Sequence, residues 1–182
     1  MYPDGTVNRK GDHFWNATDA CCDMDRSAVD DSGYIKALID EIGSRYRVDP
    51  KRVFLVGHSN GGYMSYRMAC DHADRIAALV SIAGATWQDS ARCKPQAPVS
   101  VLQVHGTADA EVPYEGGPGF PGARETVARW AALDGCSPEI DRSSPPLDID
   151  DVLPGAETTI SHGASPHRRA PHDPRAPGRG GR

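Results

Sequence analysis

Arg52-Val53-Phe54-Leu55-Val56 runs without a break into Gly57-His58-Ser59-Asn60-Gly61-Gly62, and Tyr63-Met64 follows. The first five residues are β-branched, aromatic and aliphatic, the composition of a buried strand. After the glycines, Tyr63, Met64, Met68 and Ala69 leave one apolar stripe at helical spacing. A serine flanked by glycines two positions away on each side, on a strand-to-helix turn, is the pattern of a nucleophile elbow. Such a turn strains the serine backbone and leaves no room for bulky side chains at positions 57 and 61. Ser59 is therefore the candidate nucleophile; the plainer alternative is a Gly-rich structural turn.

Outward from this stretch the same alternation recurs. Upstream, Ile35, Leu38, Ile39, Ile42 and Tyr46 fall at i, i+3, i+4, i+7 and i+11, which predicts an amphipathic helix from Ser32, with Asp30, Asp31 or Ser32 as its N-cap. Val48-Asp49-Pro50 ends it. Downstream, Ile76 to Ile82 and Val99 to Val104 predict two more strands, and Thr126 to Leu133 a helix that Gly135 caps. Nearly continuous apolar strands separated by helices predict an α/β fold, a doubly wound and mostly parallel sheet covered on both faces. Residues 1–31 read as loop.

The 182 residues, 38% of them hydrophobic, suffice for one sizeable core. No run of about 18 apolar residues is present, so no membrane partner is expected. The net charge of −5 is uneven: residues 161–182 hold five Arg and one Asp, +4, which leaves −9 on the rest. An acidic body argues against nucleic acid as a partner. Cys21, Cys22, Cys70, Cys93 and Cys136 contain no C-x-x-C pair. Disulfides of an exported protein explain five cysteines better than zinc or thioredoxin-like chemistry, with buried thiols as the alternative. An odd number cannot all pair within the chain.

Residues 161–182 contain no Val, Leu, Ile, Met or aromatic residue. Such a composition predicts a disordered tail beyond a domain at 1–160. Arg outnumbers Lys sixteen to four, as GC-rich coding DNA produces, and an out-of-frame reading of such DNA yields the Arg, Pro, Gly and Ala of this tail.

A serine hydroxyl needs a histidine to take its proton and an acid to orient that histidine. Behind this kind of elbow the chain order is Ser, then Asp or Glu, then His. Asp109 is the candidate acid: it follows the third strand through His105-Gly106-Thr107-Ala108, at the sheet edge that also carries Ser59. Its alternative reading is a turn cap. Asp89 and Asp134 fit less well. His162, His167 and His172 have no apolar residues to fix them and no helical metal-ligand spacing. His58 and His105 read as structural residues beside the site, and no metal or other cofactor is expected.

These residues resemble the polyhydroxybutyrate depolymerase and feruloyl esterase group of secreted α/β-hydrolase esterases. The likeness is carried by Tyr2-Pro3-Asp4-Gly5, Trp15-Asn16-Ala17, Cys21-Cys22, Val29-Asp30-Asp31, Val48-Asp49-Pro50, the elbow, and His105-Gly106-Thr107-Ala108-Asp109 with Val112-Pro113-Tyr114. It implies Ser59 as nucleophile, Asp109 as acid, disulfides, an extracellular location, and an ester substrate, either a polyester or an acylated polysaccharide. The amide of Asn60 is then one oxyanion donor. Members of the group have further strands before Tyr-Pro-Asp-Gly, one loop of which supplies the second donor, and place the histidine after a late strand some 70 or more residues beyond the acid. Against that pattern the chain is expected to be an internal part of a larger esterase, lacking the N-terminal strands and the strand-His segment, with an uncovered apolar sheet face and poor solubility. A catalytically inactive hydrolase-like chain that binds polymer or carbohydrate is the alternative.

Overall fold

The computed structural model describes residues 1–23 and 25–163. Two compact units divide the chain, Met1–Asp134 and Gly135–Arg182. In chain order the elements are β1 (Thr6–Val7), β2 (His13–Phe14), α1 (Asp31–Arg45), β3 (Phe54–His58), α2 (Asn60–Asp71), β4 (Ala78–Ile82), β5 (Ser100–Val104), β6 (Gly116–Gly117), β7 (Phe120–Pro121), α3 (Ala123–Leu133), β8 (Ile140–Asp141) and β9 (His162–Gly163).

The first unit is built on a parallel sheet of order β3-β4-β5, in which His58, Ile82 and Val104 share one register row at the carboxyl ends. Of the offered caps Asp30 serves α1, its side chain accepting from Gly33 N. The neighbouring Asp31 is buried and accepts from Thr6 Oγ1 and Asn16 N, which fastens the N-terminal segment to α1. Ser32 Oγ donates to Asp71 and joins α1 to α2. The helix over 123–133 starts three residues earlier than its periodicity predicts, and Gly135 beyond it takes φ +68°, a conformation few side chains adopt. The segment read as loop contains the antiparallel pair β1–β2, and a second such pair, β6–β7, follows β5. These two-residue strands are too short for any periodicity to reveal.

The core lies on one side of the sheet. Tyr66 and Cys70 of α2, Trp130 of α3 and Ile39 of α1 pack on Leu55, Leu79 and Val101. The alternate residues Phe54, Val56, Ile82, Leu102 and Val104 point to the other side and are exposed, Phe54 at 58%, Val56 at 70% and Leu102 at 55%. Within the described residues the sheet is therefore covered on one face rather than two. Cys70 and Cys93 form a disulfide that ties the end of α2 to the segment before β5, and Cys21 bonds to Cys22.

In the second unit, β8 pairs with β9, and Leu147 bridges to Thr158. His162 and Gly163 thus belong to a strand pair at the point where the sequence predicts disorder. Residues 164–182, with His167 and His172, lie outside the described residues.

Candidate active site

Ser59 stands between β3 and α2 with φ 50° and ψ −118°, one of four non-glycine residues of positive φ among the described residues. Serine at a helix N-terminus ordinarily spends its hydroxyl on a capping bond. Here it does not: the cap makes no side-chain hydrogen bond, and the first turn is closed by Gly62 N and Tyr63 N donating to Ser59 O. Ser59 N donates to Ile82 O at 2.7 Å, which anchors the strained residue to the adjacent strand.

The glycines divide the steric work differently from the motif. A Cβ on Gly57 would land on the Gly61 carbonyl, whereas one on Gly61 meets nothing within 4 Å. Gly62 and Gly84 are the other tight pair: a Cβ on either would come within 2.7 Å of Ser81 Oγ. The close approaches therefore fall at 57, 62 and 84, not at 57 and 61.

Asn60 opens α2, so its backbone N–H is among those a helix leaves without an intrahelical acceptor. Its side chain is engaged elsewhere: Oδ1 accepts from Trp15 N (2.7 Å), and Nδ2 donates to Trp15 O (2.9 Å) and Cys21 Sγ (3.3 Å). Arg67, about two turns further along the helix, donates to Asn16 O. The N-terminal loop is thus bonded to the start of the elbow helix. No local pattern in the sequence announces this clamp, because its partners lie 45 residues apart; the Trp15-Asn16 pair stands out only through the family likeness.

Asp109 makes the turn cap that its plainer reading expects. Oδ1 accepts from Glu111 N and Val112 N, each at 2.9 Å, and so caps the turn. Oδ2 lies 3.8 Å from His105 Nε2. The Val112 amide chiefly, then Glu111 N–H, His105 and His58, hold the carboxyl below its ordinary range against the opposing effect of desolvation. Tyr63, four residues after Ser59, is pushed up to about 12 by burial and by the Asp109 charge. Asp109 thus acts electrostatically on His58 and Tyr63, which flank the elbow.

His105 is held at both nitrogens. Tyr66 Oη donates to Gln103 Oε1, so the Gln103 amide points Nε2 at Gly84 O and at His105 Nδ1. Nδ1 is then the acceptor, and Nε2–H donates to Val112 O at 2.8 Å. With its side chain 3% exposed, this ring is structural. His162 sits in the second unit, where Nε2 meets Ser144 Oγ at 3.1 Å. Among the described residues no group of three or more His, Cys, Asp and Glu is arranged to hold a metal ion.

A parallel sheet with a strained, uncapped serine at the end of one strand and a carboxylate after the end of another is an arrangement consistent with the α/β-hydrolase fold. The chain belongs to the α/β-hydrolase fold family, whose model matches residues 26–142. It is similar to feruloyl esterase B of Piromyces equi, with 35% identity over 156 residues, 79% of this chain and 28% of that protein. It is also similar to the bifunctional acetylxylan esterase/xylanase XynS20E of Neocallimastix patriciarum (33% over 96 residues, 53% of this chain and 14% of that protein). Feruloyl esterase D of Neurospora crassa is 28% identical over 109 residues, 60% of this chain and 35% of that protein. The chain spans about a third or less of the length of these relatives.

Proposed function

We propose that this chain carries the nucleophile and acid of a serine carboxylic ester hydrolase that works through an acyl-enzyme. Ser59 Oγ attacks the ester carbonyl carbon while a histidine takes its proton; the C–O bond to the alcohol breaks, and the same proton passes to the leaving oxygen. Water then attacks the acyl-serine and releases the acid. The Asn60 N–H donates to the oxyanion, and Asp109 orients the histidine through Oδ2, the oxygen its turn leaves over. The observation that carries this reading is the Ser59 backbone at φ 50° with its hydroxyl withheld from the helix cap.

Two of the relatives are named feruloyl esterases and one an acetylxylan esterase, which favours an acylated plant polysaccharide over a polyester as substrate. The Cys70–Cys93 disulfide favours an exported protein. One observation supports the inactive, polymer-binding alternative: the only histidine ring within 4 Å of the Asp109 carboxylate among the described residues is His105, and its N–H is spent on Val112 O.

A fluorophosphonate probe, which phosphonylates an activated serine, distinguishes the two. Labelling that Ser59→Ala abolishes supports the esterase; labelling unchanged by that substitution removes Ser59 from the role. Folded wild-type chain that neither labels nor cleaves short p-nitrophenyl esters supports the inactive alternative.

A further inference from the structure

A second concavity lies at the far end of α2. Ser59 precedes that helix and Cys70 is near its end, and eleven residues at about 1.5 Å each set them about 16 Å apart. Behind the Cys70–Cys93 disulfide is a cavity of about 310 Å³, walled by Thr86, Trp87, Cys93, Arg129, Trp130 and Leu133. We propose that this cavity binds a neutral aromatic molecule, one ring or two fused rings, of the size of phenol or indole.

Three observations converge on that class. The first is size: an apolar cavity of about 150 Å³ already accommodates benzene, so this one accommodates a substituted or fused ring. The second is charge. The one cation in the wall is fully engaged: Arg129 Nη1 donates to Trp87 O and Gln88 O, and Nε and Nη2 to Glu125. No unspent positive charge faces an anionic ligand, whereas two indoles and a disulfide sulfur offer polarizable apolar contact. The third is the fixity of the wall: Trp87 is held in place by Arg92, whose guanidinium stacks 3.8 Å from the ring centroid, and Arg129 ties Trp87 O and Gln88 O to α3.

The proposal depends on neither Ser59 nor esterase activity. Phenol, indole and benzoate are titrated against the folded full chain by ligand-observed NMR. Phenol and indole are expected to saturate, with half-saturation on the order of 1 mM, and benzoate to bind at least tenfold more weakly. Ala132→Trp and Ser90→Trp, both at exposed positions in the cavity lining, are substitutions that fill it. Each is expected to weaken indole binding at least tenfold with the melting temperature preserved, and Ser59→Ala to leave it unchanged. Absence of saturable binding, binding retained in both filled variants, or benzoate binding as tightly as phenol overturns the proposal. Loss of fluorophosphonate labelling at saturating indole also overturns it, since the ring would then occupy the Ser59 site.

Discussion

Gly57→Ala and Gly61→Ala look equivalent in the motif and are opposite in the structure. A methyl at 57 would collide with the Gly61 carbonyl and stand 2.7 Å from the Gly62 nitrogen, all backbone atoms of the first turn of α2. A side chain can rotate away from such a clash; these atoms cannot move without shifting the turn that holds Ser59. Inserting one carbon into a packed interior costs about 1–3 kcal/mol, occasionally more, and backbone obstacles put this case at about 3 kcal/mol or above. For a unit of this size that lowers the melting temperature by about 10 °C. At 61 a methyl meets nothing within 4 Å, and the position is helical, so alanine is neutral or adds up to about 1 kcal/mol. Paired thermal melts by circular dichroism measure the difference. Equal destabilisation by the two substitutions would refute the assignment of close packing to Gly57 rather than Gly61.

The lowered pKa of Asp109 has a definite sign: its carboxylate stabilises the fold above the unfolded value of about 3.9, and that contribution is lost as pH falls through the folded value. Melting temperatures taken downward from pH 5 should therefore fall more steeply for wild type than for Asp109→Asn, and parallel curves would contradict the Val112 and Glu111 bonds. Cys70 and Cys93 are 23 residues apart, a loop whose cross-link is worth about 3 kcal/mol on the chain-entropy account, so the Cys70→Ser/Cys93→Ser double variant should melt about 10 °C lower in calorimetry. Val56→Lys with Leu102→Glu places charge on the exposed apolar face; size-exclusion chromatography should show a larger monomeric fraction at an unchanged melting temperature, and no gain would mean that this face does not drive association.

The fold was legible wherever one periodicity ran long enough. The stripe Ile35–Tyr46 anticipates α1, and the apolar runs around Leu55, Leu79 and Val101 anticipate the three strands, because burial demands those residues at those spacings. Legibility failed where the determinant is a partner distant in sequence. That Phe54, Val56 and Leu102 face outward does not follow from their own composition, since a strand covered on both faces reads the same way. Likewise Asp109 is locally a turn cap and only by proximity to His58 and Tyr63 part of the site, and nothing near Asn60 says that its amide grips Trp15. The motif indicates that glycines crowd the elbow; that Gly62 is one of them depends on Ser81 of β4 and on Gly84 just beyond it.

The strain at Ser59 bears on what holds the elbow in place. A non-glycine residue at positive φ costs on the order of 1–3 kcal/mol and persists only where the surroundings over-determine it. These restraints on Ser59 lie within Met1–Asp134: the bond of its amide to Ile82 O, the Gly57 and Gly62 approaches, and the grip of Asn60 on Trp15. The Asp109 turn is closed within the same unit by Val112 and Glu111. Ser59 and Asp109 are therefore held in place without help from a histidine, and in the proposed mechanism the oxygen that a histidine would engage, Asp109 Oδ2, makes no hydrogen bond to the turn. In that mechanism the histidine meets a formed partner rather than having to create one, which places the demand for precision on the segment that carries it.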